Sequence, residues 1–394
     1  MKKGIILNLF VLSVLAVGCS SDKQPTEGLP YFDVTEKYPE KVVDLADIAD
    51  LRYVDLNTKN EDFLYKGTVD YVTQNTIVVV DRTSSSVLFF SKEGDPKSRF
   101  NRKGRGPEEY SSASSVMYDE TKDEAYVIPD FNNYISVYSS SGEFKRKLTL
   151  PQVNIGNQML LFDDQSILVY DNTNLWQNLR KVHVGDRTAV AEQVNDSSFY
   201  LLSRLDGSVL EYIEMPTNDI DVSTINKEGA FGQVGYGRMR WSPDGLLLYN
   251  PETDTVFFYN KDKSLTPFMH KKPLLSDLNP MVVMDICMDV GDYQFISVHT
   301  YQKSEFPSPI YYMRDKETDE IFRPKVALAD YKGKEFTFDP RLQNYYEKGY
   351  HFELDFVELQ EAYRENKLSG ELKELVATLD EDEGNNIFLF VDFK

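Results

Sequence analysis

Short apolar runs separated by polar turns dominate the chain from about residue 41 to residue 330. Ile77-Val78-Val79-Val80-Asp81 is followed by Val87-Leu88-Phe89-Phe90 and a turn at Lys92-Glu93-Gly94. The same order returns at Tyr126-Val127-Ile128-Pro129-Asp130, Ile135-Ser136-Val137-Tyr138 and Ser140-Ser141-Gly142. It returns again at Leu246-Leu247-Leu248-Tyr249-Asn250 and Val256-Phe257-Phe258-Tyr259. Weaker units lie around Leu160 to Tyr170, Phe199 to Tyr212 and Tyr293 to Met313. β-Branched and aromatic runs bounded by Asp, Asn, Gly and Ser read as strands joined by hairpins. Repetition at roughly 45 residues, with several antiparallel strands per unit, predicts a β-propeller. Six units occupy about 270 residues, and a seventh stays open in the weak middle, residues 150–245.

The pattern changes near the C-terminus. Phe356 to Tyr363 and Leu368 to Leu375 carry helical spacing and strong helix formers, which predicts a helical insertion over 353–380. Leu359, Tyr363, Leu368, Leu372 and Leu375 share one side, the pattern of a helix packed on a core. Ile387-Phe388-Leu389-Phe390-Val391-Asp392-Phe393 then reads as a strand. A terminal strand after helices closes a ring best by completing a blade with the N-terminal strand Leu51 to Leu56. The predicted fold is therefore all-β: a six-bladed propeller over 41–394 with a short helical insertion before its closing strand.

The first residues follow a different logic. Lys2 and Lys3 precede an apolar run, Gly4 to Val17, that suits a signal-peptide core and is too short to span a bilayer comfortably. It ends at Ala16-Val17-Gly18-Cys19, followed by polar Ser20 to Lys23. Small residues before a cysteine let the backbone enter a lipoprotein signal peptidase, and the thiol carries the diacylglycerol. The pattern resembles the bacterial lipobox, with Ala16 where Leu is usual. It predicts removal of residues 1–18, lipid (diacylglycerol, then palmitate) on Cys19, and a flexible tether over 19–40, where Ser, Pro, Lys and Glu prevail.

Lys plus Arg is 43 against 64 Asp plus Glu, a net charge of −21. Such a chain repels phosphate backbones, which excludes nucleic acid as a partner. Only Cys19 and Cys287 are present. With Cys19 committed to lipid, Cys287 has no partner and reads as a small buried hydrophobe within Val282 to Met288. The four histidines, His183, His270, His299 and His351, show no metal-motif spacing. Asp81, Asp130, Asp171 and Asn250 follow β-runs and suit turns better than a calcium site. No cofactor or metal is expected, and no Gly-x-Ser-x-Gly elbow points to a hydrolase.

The sharpest local motif is Lys103-Gly104-Arg105-Gly106-Pro107-Glu108-Glu109-Tyr110. Its glycines permit special backbone angles and Pro107 sets the exit. A loop leading from an outer strand to the next inner strand, near the channel mouth, places Arg102, Lys103, Arg105, Glu109 and Tyr110 as ligand-binding candidates. Arg105 could clasp a carboxylate or sugar hydroxyls. The same residues suit a brace of the blade-to-blade turn. Trp241, Tyr311-Tyr312 and Tyr345-Tyr346 offer faces for sugar rings, although aromatics in propellers mostly fill blade interfaces. Phe306-Pro307-Ser308-Pro309 is a further exposed loop, expected in the last blade.

Several of these landmarks occur together: Val43 to Asn57, Phe100 to Tyr110, Asp254 to Tyr259 with Leu265-Thr266-Pro267, and the apolar terminal strand. Together they resemble the six-bladed β-propeller lipoproteins of Bacteroides-type bacteria, relatives of NHL-repeat propellers. The usual loop of that family is Gly-x-Gly-Pro-Gly-Glu-aromatic, and Glu108 departs from it. The resemblance implies a cell-envelope protein lipid-anchored at the outer membrane. The expected function is a non-catalytic module that binds a glycan, peptide or envelope protein at one face. A metal-dependent propeller hydrolase or lyase, and an accessory subunit of an outer-membrane assembly, are the alternatives.

Overall fold

The apolar runs do not alternate with polar residues because both faces of each sheet are covered. In the computed structural model, Val78 and Val80 pack toward one neighbouring sheet and Ile77 and Val79 toward the other, all fully buried. Successive strand residues point to opposite faces. A sheet packed on both sides therefore needs unbroken hydrophobic runs. The structure describes residues 28–56, 61–152, 158–171, 197–216, 238–250, 253–301, 308–338, 345–346, 349–379 and 386–394.

The described residues form six sheets, each built on a four-stranded antiparallel meander. Blade 1 comprises Gly67–Val72, Thr76–Asp81, Ser86–Ser91 and Pro96–Phe100. Blade 2 comprises Ser115–Asp119, Glu124–Ile128, Tyr134–Tyr138 and Phe144–Thr149. Blade 3, the weak middle, comprises Gln158–Leu161, Ser166–Tyr170, Phe199–Ser203 and Val209–Ile213. Blade 4 comprises Arg238–Ser242, Gly245–Tyr249, Thr255–Asn260 and Leu265–Lys272. Blade 5 comprises Met281–Val290, Tyr293–Tyr301, Ile310–Asp315 and Ile321–Ala327. Blade 6 draws on both ends of the chain: Tyr345–Tyr346, Gly349–Leu354, Ile387–Phe393 and Ala49–Asp55. The arrangement is a six-bladed β-propeller in which the first strand of each blade lies innermost.

Six hydrophobic clusters each join two adjacent blades. Phe89, Val80 and Phe100 of blade 1 meet Tyr118, Val127 and Tyr138 of blade 2. Phe388 and Phe390 of blade 6 meet Ile77, Val79, Leu88 and Phe90 of blade 1. The ring closes as expected: Ile387 pairs with Asp55, and the register runs antiparallel to Phe393 opposite Ala49.

The segment before blade 6 departs from the flexible tether expected over 19–40. Tyr31–Asp33 adds to the outer edge of blade 4 in parallel, Tyr31 opposite His270. Phe32 is fully buried there and stacks on Tyr38 at 5.1 Å. Glu40–Asp44 then adds in parallel to the outer edge of blade 5, Glu40 opposite Arg323. A short helix, Leu45–Ile48, capped by the Asp44 carboxylate on the Ala46 amide, turns the chain into blade 6. One segment thus covers the outer edges of blades 4 and 5 and then supplies the outer strand of blade 6. Composition misled here because a few apolar residues, Phe32 with Val34 and Tyr38, anchor an otherwise polar stretch.

Helices Phe356–Arg364 and Gly370–Val376 lie between the second and third strands of blade 6. Asp355 caps the first, its carboxylate accepting the Glu358 amide at 3.0 Å. Leu359, Leu368 and Leu372 are buried, with Tyr363 and Leu375 packed against the same core of blades 5 and 6. Cys287 is 2 % exposed at a register shift in the inner strand of blade 5. The Phe306 to Pro309 loop joins strands of blade 5 and not of the last blade. Its residues up to 307 lie outside the described residues, as do His183 and everything before Gly28, Cys19 included.

Candidate functional site

The loop from Asn101 to Ser114 leads from the outer strand of blade 1 to the inner strand of blade 2. Its anchor is Tyr110, whose ring is fully buried 5.7 Å from the Tyr138 ring. The Tyr110 hydroxyl donates to the Ser85 carbonyl at 2.7 Å and accepts the Arg102 amide at 3.0 Å. Burial pushes that phenol up to about 12. Glu109 folds back to accept the Gly106 amide at 2.7 Å. Its carboxylate fills the space that a side chain at Gly104 would need, 1.9 Å from an added Cβ. Arg102 Nε donates to the Gly142 carbonyl at 2.9 Å, and the Tyr138 hydroxyl to the Glu108 carbonyl at 2.7 Å. Arg102, Glu109 and Tyr110 are thus engaged as a brace between blades 1 and 2, while Lys103 and Arg105 are exposed.

Replacing Tyr110 with Phe strands two polar partners and is expected to cost about 1–2 kcal/mol in urea unfolding. Arg105→Ala should stay within about 0.5 kcal/mol. Equal losses from both would contradict the brace.

A cavity of about 300 Å³ opens elsewhere, in the channel between the inner strands of blades 1 to 4. Tyr71 and Asp70 line it from blade 1, Met117 and Tyr118 from blade 2, Met159 and Leu160 from blade 3, and Trp241 from blade 4. Thr73, Gln74, Glu120 and Thr121, in the turns that follow the inner strands of blades 1 and 2, complete the wall. Arg102, Lys103, Arg105, Glu109 and Tyr110 are not among the residues lining it. The loop motif therefore braces the interface of blades 1 and 2 and does not line this cavity: it precedes the inner strand Ser115–Asp119, whereas the lining residues Glu120 and Thr121 follow that strand.

Two carboxylates border the cavity. Asp70 sits at a register shift between Val69 and Tyr71. Burial pushes its carboxyl upward, against the Val116 amide it accepts and the Arg82 guanidinium at 3.4 Å. Glu120 behaves oppositely. Burial alone would raise it, but donors from blade 1 outweigh that and hold it below the usual carboxylate range. These are Thr76 Oγ1 at 2.6 Å, Thr73 Oγ1 at 3.0 Å and Asn75 Nδ2 at 3.2 Å. Glu120 thereby ties blade 2 to blade 1, and Asp289 repeats the device by accepting Ser242 Oγ at 2.5 Å between blades 5 and 4.

Buried ion pairs add to this bracing. Arg240 and Asp285 face each other at 3.5 Å across the inner strands of blades 4 and 5, each under 5 % exposed. Lys271 and Asp254 pair at 2.9 Å. Burial lowers His270, which meets Thr255 Oγ1 at 3.1 Å. The Asp81 carboxylate accepts the Thr83 and Ser84 amides at 2.8 and 3.1 Å, a turn role. Among the described residues, no three His, Cys, Asp or Glu side chains converge as a metal site would require.

Sequence reasoning named Trp241 but missed Tyr71, Met117 and Met159. Only Tyr71 carried a signal: Asp70 beside it interrupts an inner strand at a bulge, a common device beside functional sites, whereas nothing marked Met117 or Met159.

Fold and cavity define a class: a six-bladed β-propeller with an aromatic-lined channel. The chain belongs to the family described as a domain of unknown function, DUF4934, whose profile matches residues 29–392. Among solved structures, a candidate exported protein of Bacteroides fragilis is similar, with TM-score 0.59 and 16 % identity over 90 % of this chain and 99 % of that one. A member of the DUF4221 family from Bacteroides vulgatus gives TM-score 0.45 and 12 % identity over 88 % and 97 %. Virginiamycin B lyase from Staphylococcus aureus gives TM-score 0.34 and 12 % identity over 66 % and 73 %. The curated proteins include no match. Among the described residues, no helix is long and apolar enough to cross a membrane.

Proposed function

We propose that this protein is a lipid-anchored envelope protein whose propeller binds a glycan or a peptide segment without transforming it. The observation that carries the reading is the channel cavity. Its volume lies at the lower end of small-molecule sites. Tyr71 and Trp241 offer apolar faces, and Thr73, Gln74 and Thr121 offer hydrogen-bonding edges, the combination a sugar ring presents in complement. Anchoring rests on the Lys2 to Cys19 pattern, with lipid on Cys19. The exposed Lys103 and Arg105, beside Arg102, Glu109 and Tyr110, form a second surface for a protein partner in the envelope.

A thermal-shift screen of the folded protein against glycans, peptides and divalent metals tests the reading, since a ligand that binds only the folded state raises the melting point. A saturable shift with a glycan or peptide is expected. Removing one stacking ring by Trp241→Ala should weaken binding about threefold to tenfold. A shift with metal alone, or one that Trp241→Ala leaves intact, would count against the cavity as the binding site.

A further inference from the structure

The pairing of Tyr31–Asp33 so soon after Cys19 constrains how the propeller can meet a membrane. Cys19 and Gly28 are nine positions apart, with eight residues between them. Chain geometry limits that separation to about 30 Å. Gly28 leads directly into Tyr31–Asp33, which is paired to the outermost strand of blade 4 and secured by buried Phe32. The Pro30 carbonyl accepts the His270 amide at 2.9 Å, so the pairing starts almost at the tether.

We infer that the outer edge of blade 4 is the surface this protein turns toward the bilayer, so that the propeller stands on its rim with its channel axis along the membrane plane. The inference rests on the lipid anchor at Cys19. The chemistry of that edge suits a headgroup region. Tyr31 is 54 % exposed and Leu274 41 %. The Lys272 ammonium sits 3.9 Å above the Tyr31 ring. Tyrosine and lysine are side chains that settle at membrane interfaces, ring toward the acyl chains and charge toward water. A net charge of −21 opposes close approach of the chain as a whole to anionic headgroups, so a local cation such as Lys272 favours contact where it stands. An edge-on propeller leaves its channel cavity open to ligand from the side.

Full-length lipidated protein in phosphatidylethanolamine–phosphatidylglycerol vesicles carrying nitroxide headgroups provides the test. A fluorophore is placed at Leu274→Cys or, on blade 1 across the ring, at Glu93→Cys. Cys287 is buried and does not compete for label. Vesicle flotation is scored first. Quenching about twofold stronger at position 274 than at position 93 is expected. Equal or reversed quenching in protein that floats overturns the orientation and leaves the anchor standing. Protein that does not float overturns the anchor and the orientation with it.

Discussion

Deleting Ile387 to Lys394 is expected to leave a chain that no longer unfolds as a cooperative unit. Ile387, Phe388, Leu389, Phe390 and Val391 are each at most 1 % exposed. Burying an aliphatic or aromatic side chain contributes about 1.5–3 kcal/mol, so the five together contribute about 10 kcal/mol. That equals the whole stability of a typical domain, about 5–15 kcal/mol. The loss is wider than one strand, because Ile387–Phe393 pairs with Gly349–Leu354 on one side and Ala49–Asp55 on the other. Without it the N-terminal strand has no partner and the ring opens between blades 5 and 1. Circular-dichroism melting checks the prediction. A truncated chain that melts sharply within a few degrees of the full one would show that closure is dispensable. Phe390→Ala, which keeps the strand, is expected to cost about 3–5 kcal/mol.

The second large effect concerns Arg204, which joins blades 2 and 3. Its guanidinium donates to Asp119 Oδ2 at 2.5 Å, to the Tyr126 hydroxyl at 2.9 Å and to the Asp163 carbonyl at 2.9 Å. Its side chain is 6 % exposed. Arg204→Met removes the charge at similar bulk and leaves Asp119 without its ion pair. Breaking a buried pair costs about 3–5 kcal/mol. We expect about 3 kcal/mol, since Arg146 still holds Glu124 through two contacts of 2.6 and 2.8 Å. The network also sets acid sensitivity. Burial alone would raise Asp119, but hydrogen bonds from Thr121 and Arg204 hold it down at about 2. Arg146 chiefly holds Glu124 at about 2. Both folded values lie below the ordinary carboxyl values of 3.8 and 4.5. Their stabilisation is thus complete above about pH 4.5 and disappears as pH falls toward 2. Urea midpoints between pH 6 and pH 2.5 should fall steeply for the natural protein and less steeply for Arg204→Met. Parallel acid limbs would show that Asp119 is held by other groups.

Much of this architecture was legible because propeller blades bury both faces. Runs such as Ile77 to Val80 and Leu246 to Tyr249 announce themselves without any need for long-range information. The closing strand was legible for the same reason, as was the packed side of the terminal helices through Leu359, Leu368 and Leu372. The candidate site was less so. Gly104, Gly106 and Glu109 drew notice as a motif, yet their atoms satisfy one another, and a local motif cannot reveal that its polar groups are already engaged. Trp241 lines the cavity with Tyr71 and Met159, which are distant in sequence and belong to strands otherwise like their neighbours.

What the sequence determined by itself was the repeating unit, the all-β class, the closure by the last strand, the burial of Cys287 and the acidic surface. Each is a consequence of periodicity or composition over short stretches, where local chemistry and final environment coincide. Tertiary structure alone decided that Tyr31–Asp33 and Glu40–Asp44 strap blades 4 and 5, and that the Lys103 to Tyr110 loop braces an interface. It also decided which four inner strands face one cavity. These depend on which edge or which blade stands opposite, and ring closure sets that for residues far apart along the chain.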